Sequence, residues 1–331
     1  MSRRVMILIG LVVVCVAVAV GVVLVSASKD PATTQDTTTA TALPNPPYMV
    51  FRSLDRKDPK TYGRIAVVPL DDLDGPRELG GLTCERVYFQ GQRGICMALS
   101  DDFPPTYKAV LLGPDLKPTG SVAVNGIPSR ARVSPNGRLG AVTTFVSGDS
   151  YTSLGVFSTR AMIIDMVTGK PVVRSLESWP VYRDGTRTES VDHNFWGITF
   201  APDGDTFYAT LSSGGKTHLV RGSVKGKRME ILRDNVECPS ISPDGTRIGF
   251  KKRVGGDGLW HLTVLDLATM KETPLAEDQP IDDQVEWLDD DTILYGNGEA
   301  IWSVPADGSG TARRFLAAAN SPSVVREEAV K

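Results

Sequence analysis

Residues Ser242-Pro243-Asp244-Gly245-Thr246-Arg247-Ile248-Gly249-Phe250 decide the fold, because a tight turn opens directly onto a run of strand formers. Pro presets φ at the first corner, Asp can bond its own backbone two residues on, and Gly takes the positive φ that closes a hairpin. The same chemistry recurs in Val133-Ser134-Pro135-Asn136-Gly137-Arg138-Leu139 and in Phe200-Ala201-Pro202-Asp203-Gly204. A fourth copy, Trp287 to Leu294 around Asp289-Asp290-Asp291, lacks Pro and Gly, and a fifth, Val87 to Ile95, is more degenerate. The copies stand about 41 to 67 residues apart, mostly in the forties.

A second pattern follows each turn, an apolar strand ending in Asp or Pro-Asp and a further turn. Ile163-Ile164-Asp165-Met166-Val167-Thr168-Gly169 and Val264-Leu265-Asp266-Leu267-Ala268-Thr269 are examples. Two hairpins per repeat make a four-stranded antiparallel sheet, and a period in the forties with four strands is the signature of propeller blades. No long segment with a 3.6-residue period remains to supply the helices of an α/β fold. Residues 48–325 divide at about 46 per unit into six blades, so the expected fold is an all-β, six-bladed β-propeller. The third unit carries two insertions. Val146 to Arg160 reads as an extended hairpin and Ser178 to His193 as a surface loop, with a seventh blade as the alternative. The first unit begins at Tyr48 without an inner strand, and Ser321-Pro322-Ser323-Val324-Val325 at the far end can supply it, hiding both edges.

Ser-Pro-Asp-Gly-Thr-Arg-Ile-Gly-Phe at 242–250 and Ala-Pro-Asp-Gly-Asp-Thr-Phe-Tyr at 201–208 resemble the PD40, or WD40-like, repeats of TolB-type propellers. Together with an N-terminal apolar span, a Thr-rich stalk, Asn194 to Phe200, Glu237-Cys238-Pro239-Ser240 and Asp282 to Trp287, they are similar to TolB-like proteins of actinobacteria. The repeat resemblance covers about residues 85–325 and implies a fold more than a function, because such propellers serve as scaffolds, ligand binders and gating domains of peptidases. The α/β domain that precedes the propeller in TolB has no counterpart here, so the resemblance does not carry a Tol-Pal role across.

Residues 1–28 read as a transmembrane signal-anchor. Val5 to Val25 is an uncharged run built almost wholly of Val, Ile, Leu and Ala, long enough at about 1.5 Å per residue to cross about 30 Å of hydrocarbon. Arg3 and Arg4 before it place the N-terminus in the cytoplasm and the rest outside, in a single pass through the cytoplasmic membrane. Val25-Ser26-Ala27 resembles a cleavage site, so secretion after cleavage at Ala27 stays open. Residues 29–47 form a Thr- and Pro-rich disordered linker with too little apolar surface to fold, and 326–331 a disordered tail. The whole chain holds 36 basic and 39 acidic side chains for a net charge of −3, with no clustered basic surface, which argues against a nucleic-acid partner.

Chemistry-bearing motifs are sparse. Ser190, Asp192 and His193 invite a triad reading, but no Gly-x-Ser-x-Gly elbow accompanies them. His218 and His261 lie at strand positions. Asp289-Asp290-Asp291 reads as a solvated turn rather than a calcium site, and neither a zinc spacing nor a phosphate loop is present, so no metal or cofactor is expected. Cys84 and Cys96 flank one hairpin and can form a disulfide in an oxidising compartment, leaving Cys238 as a buried thiol.

Aligning repeats gives the candidate site. Eight residues before each turn Gly stand Ser129, Trp196 and Glu237, with Asp283 corresponding in the fourth copy. The segment entering each innermost strand surrounds one channel mouth, so Asp192, His193, Asn194, Trp196, Glu237, Asp282, Asp283 and Gln284 form the expected binding rim. For Trp196, as for Trp287, packing between blades is the competing reading. The expected function is a non-catalytic, monomeric scaffold or ligand-binding module of the cell envelope, meeting a protein or cell-wall ligand. The alternative is a carbohydrate- or wall-directed enzyme or lectin-like binder using carboxylates at the mouth.

Overall fold

The computed structural model describes residues 43–146, 158–190, 192–255 and 259–326. The chain divides into units 1–39 and 40–331, and the second is the one described. The apolar run Val5 to Val25, most of the 29–47 linker, nearly all of the Val146 to Arg160 insertion and the tail beyond Arg326 lie outside the described residues. Among the described residues no helix is long and apolar enough to cross a membrane.

Among the described residues six sheets follow one another along the chain, each a blade built on four antiparallel strands, with one 3-10 turn at Leu176–Ser178. The innermost strands are Arg86–Gln90, Ile127–Val133, Asn194–Phe200, Glu237–Ile241, Glu286–Trp287 and Ala319–Val325. Between blades lie apolar clusters rather than one central core. One joins Tyr48, Val50 and Val325 to Phe89 and Leu112, and another joins Phe195 and Phe207 to Ile163. The propeller is therefore held by blade-to-blade burial at about 25 cal/mol per Å² of apolar surface.

The repeated turns do what their sequence dictates. In the 242–250 copy the Gly245 N–H donates to the Ser242 carbonyl oxygen at 2.9 Å, and the Thr246 N–H donates to the Asp244 carboxylate at 3.0 Å. The serine before the proline caps the turn as well, accepting the Arg247 N–H at 2.9 Å. Ser134 accepts the Leu139 N–H at the same distance. Gly137 has φ +67°, and a Cβ there would collide with the Gly91 carbonyl oxygen of the neighbouring blade, so this turn needs glycine on two counts.

The outer turns depend on aspartates. The Thr168 N–H holds Asp165 below the usual carboxylate range, the Thr269 hydroxyl does so for Asp266, and the Ser309 hydroxyl for Asp307. A carboxyl whose native pKa is lowered contributes stability above its unfolded pKa of about 4, and that contribution is lost as pH falls through the native value. Urea midpoints measured between about pH 6 and 3 are therefore expected to drop on the acid side. A midpoint that holds level down to about pH 3 would contradict this account of the turns.

The ring closes through its two ends. Ala319–Val325 pairs antiparallel with Tyr48–Ser53, Val325 opposite Tyr48 and Val324 opposite Met49, and supplies the innermost strand of the first blade. Cys84 and Cys96 are bonded, with Cα atoms 5.4 Å apart, and Cys238 is a free buried thiol. Closing that short loop stabilises the chain by about 3 kcal/mol on the loop-entropy account.

The segment Ser178 to His193 departs from the surface-loop expectation. Val181–Arg183 and Thr186–Arg187 form a hairpin, and Val181–Arg183 pairs parallel with Arg228–Asp234, extending the fourth blade to six strands. The physical reason is an otherwise open sheet edge beside apolar surface. Val181 and Leu176 pack with Met229 and Phe207, and the Met229 N–H finds the Pro180 carbonyl oxygen at 3.1 Å.

Candidate functional site

The C-terminal ends of the innermost strands converge on a cavity of about 750 Å³. Its rim includes the turn prolines Pro135, Pro202 and Pro243, so the motif that builds the fold also frames this mouth. Tyr88, Gln90, Arg132, Glu286, Trp287 and Arg326 line its inner wall. The chain's own Leu43, Pro44 and Pro46 lie along one side.

Charge is concentrated on that wall. The side chains of Arg132 and Glu286 are 8% and 4% exposed and stand 3.6 Å apart, while Arg326 reaches within 4.0 Å of the same carboxylate. The Tyr88 hydroxyl donates to Glu286 at 3.1 Å, and the Arg132 guanidinium lies 4.4 Å from the Tyr88 ring centroid. Arg132 also donates to the Val285 carbonyl oxygen at 2.5 Å, and Arg326 to that of Trp287. Burial pushes the Glu286 carboxyl up, against the opposing pull of Arg132 and Arg326. Burial, followed by the Glu286 charge, pushes the Tyr88 phenol up as well. Trp287 is 1% exposed and gives its indole N–H to the Ser240 carbonyl oxygen at 2.9 Å, so it joins two blades and leaves the cavity little of its surface.

The rim expected from the repeat alignment lies at the opposite, strand-entry end, and its residues are unevenly placed. Asp283 and Gln284 come together with Arg86 and Arg130 around a small gap. Gln284 is buried, its amide donating to the Pro239 carbonyl oxygen at 2.8 Å, and Asp283 accepts the Gly296 N–H at 2.8 Å. Glu237 is buried against Arg253 at 2.8 Å, and Asp282 is paired with Lys251. Asn194 accepts the Thr159 N–H at 2.8 Å, which ties it to the preceding blade. Trp196 is half-buried.

Asp192 is exposed, and the Ser190 hydroxyl, ahead of the Gly214 N–H and the Ser213 hydroxyl, holds it below the usual carboxylate range. Ser190 thus donates to the carboxylate, and Ser213 donates to Ser190 at 2.7 Å. His193 stands beside this chain with its Nε2 unpartnered, and burial, opposed by Asp192, lowers its pKa. A triad needs the serine on the imidazole, and here the order is serine on carboxylate. His218 is buried and bonded to Asp234 at 2.7 Å. Asp290 accepts the Asp244 N–H of the neighbouring blade at 3.0 Å, and Asp289 accepts the Asp291 N–H at 2.9 Å, so the triple aspartate is a turn and an inter-blade tie. Among the described residues no group of three His, Cys, Asp or Glu side chains is placed to hold a metal ion.

Tyr88, Arg132, Glu286 and Arg326 were not among the residues expected at a site. The signal for Arg132 and Glu286 was in the same alignment, read closer to the turn. Five residues before the turn Gly stand Arg132, Thr199 and Ser240, with Glu286 corresponding in the fourth copy, and all four line the large cavity.

No protein-family model and no curated protein matches this chain. Solved structures do. The chain is similar to TolB from Acinetobacter baumannii at 14% identity and a TM-score of 0.52, over 85% of this chain and 67% of that one. It is similar to a chain of a nidogen/laminin complex at 13% identity and a TM-score of 0.54, over 84% of this chain and 98% of that one. A putative TolB from Agrobacterium tumefaciens matches at 12% identity and a TM-score of 0.49, over 82% and 88% of the two chains. At these identities the likeness is one of fold, that of a six-bladed propeller shared with TolB proteins and with others.

Proposed function

We propose that this chain is a non-catalytic binding propeller, held by its N-terminal apolar run on the outer face of the cytoplasmic membrane, that takes an extended protein segment into the strand-exit cavity. The observation that carries this reading is the cavity itself. About 750 Å³ of space is walled by prolines and aromatic edges, with two arginines and one glutamate at its inner wall. That is the usual balance of a recognition site, mostly apolar with a few convergent polar groups. Leu43, Pro44 and Pro46 along its side support the choice of ligand, since an extended, proline-containing stretch already fits there. The excess of arginine over glutamate favours a segment with an acidic side chain.

The Ser190–Asp192 arrangement supports the non-catalytic part, as do the ion pairs that occupy Glu237 and Asp282 at the other mouth. Capture of envelope proteins by the tagged, full-length chain tests the placement. Gln90→Ala combined with Arg326→Glu is expected to lower recovery of the bound protein at least about tenfold, the loss of one charge-assisted contact or more. Asp192→Ala with His193→Ala is expected to leave recovery unchanged. The reverse pattern would move the site to the strand-entry rim.

A further inference from the structure

Partway along the channel, on the entry side of Arg132, a gap of about 20 Å³ is enclosed by Arg86, Arg130, Arg132, Asp283, Gln284 and Ser321. A space of that size holds a single water or one ion of similar radius. Arg86 Nε and Arg130 Nη1 donate to the same acceptor, the Ser129 carbonyl oxygen, at 2.7 and 2.9 Å. Two guanidinium groups are thereby held side by side. Among the described residues neither has a carboxylate within ion-pair distance, although Asp283 and Glu85 act on Arg86, and Cys238, Asp283 and Asp282 on Arg130, from further away. Burial, and after it the like charge of Arg130, pulls the Arg86 pKa down, while at Arg130 burial is outweighed by Cys238, Asp283 and Asp282, which push its pKa up.

The other groups around the gap offset only part of this positive charge, through the single carboxylate of Asp283. Asp283 already accepts the Gly296 N–H, and Glu286 is engaged by Arg132, Arg326 and Tyr88. Arg130 Nε and Arg132 Nε are buried without a hydrogen-bond partner, and Arg132 as a whole is 7% exposed. Arg86 and Arg130 are half-buried and share one nearby carboxylate, Asp283, and a bound anion would complete the balance of charge around their guanidinium groups.

We propose that the waist of the channel binds one small monovalent anion of the chloride class between Arg86 and Arg130. The site is separate from the strand-exit cavity, lying on the far side of Arg132, and does not depend on what that cavity binds. An anion there ties the second and third blades together at the centre of the ring.

Urea unfolding of the full chain, with potassium chloride replacing potassium gluconate at fixed ionic strength, tests it. The folding constant is expected to rise about tenfold for each tenfold rise in chloride above the dissociation constant. Arg86→Gln with Arg130→Gln is expected to flatten that dependence, while the exposed Arg56→Gln keeps it. A wild-type folding constant indifferent to chloride, or one that rises equally in the double variant, would overturn the proposal. Should the double variant fail to fold, bromide-soaked wild-type crystals decide. An anomalous peak between Arg86 and Arg130 supports the site, and a peak absent there, or density of a water alone, refutes it.

Discussion

Deleting residues 320 to 331 is expected to abolish the folded state. The deletion removes nearly all of the strand Ala319–Val325, which is the innermost strand of the first blade and the only link in register between the two ends of the described chain. Tyr48, Met49, Val50 and Phe51 are buried against it, as are Val324 and Val325 themselves, and each such side chain is worth about 1.5–3 kcal/mol. Ser323 adds a tie to the next blade, giving its hydroxyl hydrogen to the Phe89 carbonyl oxygen and accepting the Phe89 N–H at 3.0 Å. Losing these together matches or exceeds the roughly 5–15 kcal/mol by which a domain is usually stable. It also uncovers a hydrophobic edge strand, so aggregation should accompany unfolding. Circular dichroism would show the outcome as loss of a cooperative melt. A truncated chain that melts at the wild-type temperature would mean that the ring closes without this strand.

The closure was legible in the sequence because its cause is simple arithmetic. The first unit lacks an inner strand and the last residues form one too many. Turn chemistry was legible for the same reason, since Pro, Asp or Asn, and Gly act locally at fixed offsets in the copies around Gly137, Gly204 and Gly245. The hairpin at Val181–Arg187 was not legible. It is five to seven residues long, and its pairing with Arg228–Asp234 is parallel and non-local, so no periodicity announces it. The wall of the exit cavity was hidden for a different reason. Positions five before the turn hold Arg132, Thr199, Ser240 and Glu286, four residue types with one location. Repeats preserve where a side chain points, and they need not preserve what it is. The strand-entry positions at Glu237 and Gln284 carry polar residues that look available in sequence, yet the fold spends them on Arg253 and on the Pro239 carbonyl oxygen.

The second large effect is an asymmetry within the buried pair Arg132–Glu286. Glu286→Ala is expected to destabilise the chain by about 3–5 kcal/mol, the usual result of removing one partner from a buried ion pair. Arg132→Met is expected to cost less. A guanidinium cannot shed its proton at any pH a protein survives, so without Glu286 the Arg132 charge stays buried, with only the Tyr88 ring and the Val285 carbonyl oxygen to receive it. Glu286 has the opposite freedom. Burial already pushes its carboxyl up, and once Arg132 is gone it can bind a proton and stay in place, still facing Tyr88 and Arg326. Replacing both, as Arg132→Met with Glu286→Leu, should recover most of the loss, because neither charge then needs solvation inside the channel. Urea unfolding of the three variants at neutral pH measures the order. If Arg132→Met proves the more damaging single change, then stacking on Tyr88, rather than charge balance, is what holds this part of the channel together.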